Sequence, residues 1–274
     1  MNKRALSLLA VVTLAFSALA AAPPATAAGS SGSAYVAFGD SEAAGTGNFL
    51  YVDQTCLRSR VSYPLILGAT SYACAGATTG GVTGQVAAAV AAGTLGANTK
   101  RVTLTAGVND LGWVTVLQTC YTLGDVACQG AVNGAVGALP GVGAGIGAAI
   151  VAIRTAAPNA KILVTGYPRL FGAVATSCTI GWYAGAKVVV TAFQASLANG
   201  GVDALNAAIA GAVGAVGDPA AKYVDLTSTF AGHSLCDTSS SWIAGVIGIP
   251  LLADRALHID ARGQFAVAGL IARS

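Results

Sequence analysis

The chain has 274 residues, 54% of them hydrophobic and only 9% charged, with a formal net charge of +3. Charges so few and so scattered build neither a basic groove for nucleic acid nor a polybasic patch for a membrane surface, and leave Ser, Thr, Asn, Gly and Ala to make the exterior. Two histidines and the lack of any Cys-x-x-Cys argue against a zinc site, and no metal or organic cofactor is implied.

At the N-terminus, Lys3 and Arg4 precede an apolar stretch from Ala5 to Ala22, then Pro23, Pro24 and the small-residue string ending in Ala27. This is the pattern of a secretory signal peptide over residues 1 to 27, which predicts a secreted protein. A Gly/Ser linker over 28 to 33 follows, and residues 34 to 274 read as one α/β domain. Six cysteines at 56, 74, 120, 128, 178 and 236, in a chain expected to be exported, point to three disulfides. Sequence order suggests Cys56 with Cys74, Cys120 with Cys128 and Cys178 with Cys236, among the roughly 15 pairings that six cysteines permit.

Four apolar runs read as buried strands: "AYVAFGDS" from Ala34, "RVTLTAGVND" from Arg101, "AKILVTGYP" from Ala160 and "KYVDLT" from Lys222. Between them, Thr83 to Ala92, Gly141 to Ala156 and Val188 to Val216 have helical character, and strands alternating with helices predict a parallel sheet with right-handed crossovers. The uncharged stretch Ala131 to Ile153 has the hydropathy of a membrane span. Its Asn133, Pro140 and repeated glycines favour a loop and helix of the domain instead, with no stable membrane insertion.

Ligands bind at the carboxyl ends of parallel strands. Three strand ends carry polar turns here: Ser41, Gly107 to Asp110, and Gly166 to Arg169. Taken alone, Ser41 reads equally as a helix N-cap or as a nucleophile. A nucleophilic serine needs a base, and the histidines on offer are His233, in a cysteine-pinned loop, and His258, just before a short apolar helix that Asp260 can cap.

Four segments in order resemble the blocks of the GDSL or SGNH hydrolase family: "FGDSEAAGTG", "CAGATT" from Cys74, "GVND" from Gly107 and "LHIDARGQ". The resemblance is closest to exported, three-disulfide actinobacterial esterases and lipases, to which "CLRSRVSYP", "GYPRLF" and "FAGHSLCD" are also similar. It implies a flavodoxin-like α/β fold, a parallel sheet of about five strands between helices. It also implies Ser41 as nucleophile and His258 as general base, with the backbone N–H groups of Ser41 and Gly76 and the side-chain amide of Asn109 as oxyanion donors. The implied activity is hydrolysis of carboxylic esters through an acyl-enzyme, on a small-molecule or lipid ester, by a monomer.

The chain departs from the family pattern near the base. The family's acid stands three residues before the histidine, where this chain has Arg255, while Asp254 lies one position further away. Asp254, or the main-chain carbonyl of Arg255 or a neighbour, is left to hold the imidazole. Glu42, directly after the nucleophile, is also unusual, and either lines the pocket or faces solvent. Two other readings share these residues: a polysaccharide deacetylase or phospholipase on the same catalytic set, and a non-catalytic carbohydrate- or surface-binding relative.

Overall fold

The computed structural model describes residues 31–248 and 254–274. The expected signal peptide and the start of the linker lie outside the described residues.

The first apolar run forms β1 (Tyr35–Gly39), followed by a single helical turn, α1 (Ser41–Ala44). The short β2 (Tyr51–Asp53) and β3 (Arg58–Ser59), then α2 (Tyr63–Ile66), lead to β4 (Thr70–Ser71) and α3 (Thr79–Ala91). β5 (Arg101–Thr105) precedes two long helices, α4 (Trp113–Gly137) and α5 (Leu139–Ala156). β6 (Lys161–Thr165), the hairpin β7 (Ser177–Tyr183) and β8 (Ala186–Thr191), and α6 (Ala192–Val216) come next. The chain continues through β9 (Ala221–Val224) and β10 (Val246–Ile247) and ends in α7 (Ala261–Arg273).

Five strands pair in the order β4-β1-β5-β6-β9, every pair parallel, with Val36, Val102 and Ile162 in register across the centre. This is the flavodoxin-like order, in which the chain runs outward from β1 in both directions, so the switch point lies between β1 and β5. Strands covered on both faces need apolar side chains at successive positions, and β1 is buried throughout. Val36, Phe38, Leu104, Ile162 and Val164 pack on one face against α3, α5 and α6. Leu163 and Val224 point to the other face, toward α7. On α5, Val142, Ile146, Ala149, Ile150 and Ile153 repeat with the helical period and are fully or almost fully buried. The apolar stretch from Ala131 to Ile153 is thus split between the end of α4 and a core helix.

Two expectations are corrected. The helix expected from Val188 begins at Ala192: "KVVVT" is β-branched and finishes β8, and Thr191 with Gln194 forms a capping box that starts α6. The long α4 was not expected at all. It is two helices in sequence, broken at Gly124 (φ 76, ψ −172), and the break folds the second half back on the first. Cys120 and Cys128 have Cα atoms 4.1 Å apart, where eight residues of straight helix would separate them by about 12 Å. The other disulfides join Cys56 to Cys74 and Cys178 to Cys236.

At Gly39 (φ +147), a Cβ would sit 2.3 Å from the carbonyl oxygen of Thr105 on the neighbouring strand. Gly39→Ala is therefore expected to destabilise the domain by at least about 3 kcal/mol. A urea midpoint that moves by less than a tenth of the wild-type value would contradict this close approach.

Candidate active site

Where β1 ends, the Asp40 N–H still donates to Thr105 O at 2.9 Å, and the Asp40 side chain caps α1 by accepting the Glu42 N–H at 3.0 Å. Asp40 is the N-cap, so Ser41 is the first helical residue and is free of capping duty. The other Asp40 oxygen accepts from the Tyr167 hydroxyl at 2.5 Å, and that hydroxyl accepts the Val108 N–H at 3.3 Å. Burial pushes the Asp40 carboxyl up to about 7, against the pull of these hydrogen bonds.

Glu42 lines the cavity beside Ser41, and its carboxylate accepts the Ile259 N–H at 3.4 Å. Burial, together with the nearby Asp40 charge, pushes it up to about 8. The segment around Glu42 is stapled to the C-terminal region by side chains that sequence reasoning did not single out. Gln264 donates to Glu42 O at 2.9 Å and accepts the Tyr63 N–H at 2.7 Å, and Asn48 donates to Ile259 O at 2.8 Å.

Asn109 opens a 3-10 turn after β5. Its amide donates to Ala77 O at 2.9 Å, and its Oδ1 accepts from the indole N–H of Trp113 at 3.1 Å. Both partners set the same amide orientation, with the NH2 group toward the glycine block. One residue before Ala77, Gly76 stands exposed with φ +79, a backbone conformation that disfavours a side chain although the surrounding space is open. Asp110 ties the two blocks together by accepting from the N–H and the hydroxyl of Thr79 at the start of α3, at 2.9 and 2.7 Å.

His258 sits in a tight turn. Its backbone N–H donates to Arg255 O at 3.1 Å, and its Nδ1 lies 3.1 Å from Ala256 O. The main chain against the imidazole is therefore that of Ala256, with a smaller contribution from the backbone of Asp254. The carbonyl of Arg255 is engaged by the turn itself, and the Asp254 side chain is exposed and acts on the imidazole only as a nearby charge. Burial brings His258 down to about 4, opposed by the Ala256 carbonyl and Asp254. The Trp113 ring meets the imidazole edge-on, with centroids 6.0 Å apart, so one indole contacts both Asn109 and His258. A tryptophan four residues after an Asn is the sequence signal that could have revealed it.

Ser41, Glu42, Tyr167 and His258 share one cavity of about 1000 Å³, measured with its open mouth, whose remaining walls are apolar. His233 is not part of it. That ring stacks on Trp242 at 3.6 Å, with Nδ1 3.1 Å from Ser240 O. Among the described residues no group of three or more His, Cys, Asp or Glu side chains is placed to hold a metal ion.

A five-stranded flavodoxin-like sheet with serine, asparagine and histidine turns at its carboxyl edge defines the SGNH class of hydrolase. The model of the GDSL-like Lipase/Acylhydrolase family matches residues 37–264, and the chain belongs to that family. It is similar to a lipase of Streptomyces rimosus, 29% identical over 240 residues that span 84% of this chain and 82% of the relative. Lipase 2 of Streptomyces coelicolor is 31% identical over 257 residues, 84% of this chain and 81% of that one. Among solved structures, an extracellular lipase from Streptomyces rimosus superposes with a TM-score of 0.74 at 29% identity, covering 87% of this chain and 98% of its own. A phospholipase A1 from Streptomyces albidoflavus gives 0.74 at 27% identity, covering 89% and 99%. The protein is a carboxylic ester hydrolase.

Raised carboxyl values have a stability consequence. Asp40 and Glu42 hold their protons more tightly in the folded state than in the unfolded chain, so stability is greatest below the ordinary carboxylate range and is lost as pH rises through about 7 to 8. Glu42→Gln is expected to flatten this decline and to raise the melting temperature at pH 8.5 by roughly 2–4 °C. Parallel melting curves of variant and wild type from pH 5 to 9 would remove the assignment.

Proposed function

We propose that the protein is an exported serine esterase or lipase acting through Ser41 and His258. The observation that carries this reading is that both side chains face one largely apolar cavity, with the imidazole Nδ1 occupied by a carbonyl. With its proton on Nδ1 donated to Ala256 O, the ring keeps Nε2 as the basic atom, and the carbonyl takes the orienting role that a carboxylate has in a full triad. Burial keeps the resting imidazole neutral, as a base must be.

In the proposed reaction, His258 Nε2 takes the hydroxyl proton as Ser41 Oγ attacks the ester carbonyl. The resulting oxyanion lies among the N–H groups of Ser41 and Gly76 and the amide of Asn109, each donor lowering the barrier by about 3 kcal/mol. The imidazolium returns the proton to the departing alcohol, leaving the acyl group on Ser41. Water then enters and loses a proton to His258 as it attacks the acyl carbon, and the imidazolium returns that proton to Ser41 Oγ as the acyl–serine bond breaks, releasing the carboxylic acid and restoring both side chains. Ala77 and Trp113, holding the Asn109 amide in place, make it a preorganised donor. Export is supported by the signal-like N-terminus and three disulfides. Phospholipid acyl hydrolysis is a second reading, favoured by the likeness to the phospholipase A1 fold and by the apolar walls. Removal of acetyl groups from polysaccharide makes no use of those walls.

Ser41→Ala is expected to lose all but about a thousandth of turnover on p-nitrophenyl esters, and with it labelling by an alkyl phosphonate. Retention of a tenth of the activity would exclude Ser41 as nucleophile. Phosphatidylcholine assayed alongside distinguishes the two lipid readings. Asp254→Asn should cost less than about tenfold, because a carbonyl rather than this carboxylate holds the ring, whereas loss of a triad aspartate costs about ten-thousandfold. Since His258 is lowered to about 4, the acid limb of kcat/KM is expected near pH 4, with activity retained through pH 6. An acid limb near 6.5 would mean a solvated base.

A further inference from the structure

The cavity is polar at one end only. Ser41, Glu42, Tyr167 and His258 gather at one end, three helical stripes line most of the rest, and apolar residues of the surrounding loops complete it. Trp113, Val116, Leu117 and Cys120 line it from the first half of α4, at the spacing of one helix face. Val132, Ala135 and Val136 do so from the half folded back beyond Gly124. Leu197, Ala198, Gly201, Val202 and Leu205 close it from α6. Beyond that polar end no lining side chain carries a charge, so the space suits a hydrocarbon and leaves a sugar or a phosphate without partners.

A buried, disulfide-linked cluster stands at the other end. Cys120, Cys128 and Val132 form a buried cluster against Val116 and Leu197. The disulfide holds the two halves of α4 together there, and Gln194 of the α6 capping box donates to Cys120 O at 3.1 Å. From Trp113, which touches His258, to Cys120 is seven residues, about 10 Å along the helix. A zigzag hydrocarbon advances slightly less than its ~1.5 Å bond length per carbon, so about eight to ten carbons reach from the reactive end to the disulfide. At Gly201 a Cβ would stand 3.7 Å from Val132 Cγ1, so these two residues face each other at van der Waals distance across the inner end.

We propose that this sleeve binds the acyl chain of the substrate and measures it, selecting esters of medium-length fatty acids, with Gly201 opposite Val132 setting the depth. The proposal rests on the hydrolase reading above and specifies its substrate class. Ester preference rises with each methylene buried in the sleeve and stops where the chain meets the disulfide cluster.

The test is kcat/KM of the mature, disulfide-intact protein on p-nitrophenyl esters from acetate to palmitate, below their solubility limits, with a matched series of alkyl acetates. Wild type is expected to peak near octanoate or decanoate. A leucine at 201 fills the inner end, so Gly201→Leu should lower the decanoate-to-butyrate ratio at least about tenfold, the effect of losing two or more buried methylenes. Val132→Ala works in the opposite direction, moving the optimum to longer acyl chains, and serves on its own if the leucine variant does not fold. The alkyl acetate series should keep its length dependence in both variants. A wild-type optimum at acetate, ratios within twofold of wild type in the folded variants, or a shift confined to the alkyl series would each overturn the sleeve while leaving hydrolysis intact. No turnover across the series, together with no phosphonate labelling of Ser41, would overturn the hydrolase reading itself.

Discussion

The hydrogen bond between Tyr167 and Asp40, 2.5 Å long and wholly buried, joins the segments that leave three neighbouring strands. Asp40 follows β1, Tyr167 follows β6, and the Tyr167 hydroxyl also receives the N–H of Val108 beyond β5. The Tyr167 backbone is held in turn by Asn206 of α6, whose side-chain amide pairs with both its N–H and its C=O at 2.8 Å. Each of these polar groups is removed from water, where leaving one unpaired costs roughly 1–3 kcal/mol. The network therefore persists as a unit, and it sets where Ser41 emerges relative to the turn that carries Asn109.

A second consequence is electrostatic. Two carboxyl groups lie within two residues of each other at the helical turn that begins with Ser41, with no cation among the groups that shift them, and both move toward the neutral form. Were both ionised near pH 7, their field would oppose the oxyanion of the proposed reaction. Burial thus reduces the penalty that the unusual Glu42 would otherwise impose. The Ile259 N–H that the Glu42 side chain accepts, beside His258, pulls the other way and only partly offsets the burial. The imidazole has been moved in its own neutral direction by the same desolvation. The site is thus a largely apolar space whose titratable groups are all shifted toward their neutral forms.

How far the sequence foretold this depends on the distance over which each feature is determined. Strands such as "YVAFG" and "KILVT" are local and apolar, and the turns after them carry compact motifs, so the sheet and Ser41, Asn109 and His258 were legible in their order along the chain. The edge strand β4 has only two residues, Thr70 and Ser71, and exists by pairing with Val36 and Ala37, which no local pattern reveals. The holder of the imidazole was legible only as a choice between a side chain and a carbonyl. That choice depends on the turn around Leu257, whose φ of 63 aims Ala256 O at the ring. Trp113, Gln264 and Asn48 were missed because their partners lie at Asn109 and His258, Tyr63 and Glu42, and Ile259, and the last three of those contacts cross most of the chain.

α4 was the largest omission, and its cause is also the origin of the cavity. "WVTVLQTCYTLGDVACQGAVNGAVG" has too many small and β-branched residues to read as one amphipathic helix, and it is not one. Gly124 adopts a conformation closed to other residues and reverses the chain, and the Cys120–Cys128 bridge fixes the reversal. A straight helix of that length would lay a single stripe on α6 and bury it. Folded in two, the same residues present two stripes, and between them and α6 a space remains that neither half fills. Side chains facing that space are as apolar as the core, although they line a cavity rather than pack against protein. Hydropathy alone therefore does not separate a pocket wall from a core face, and the glycine and the two cysteines that fold the wall back do.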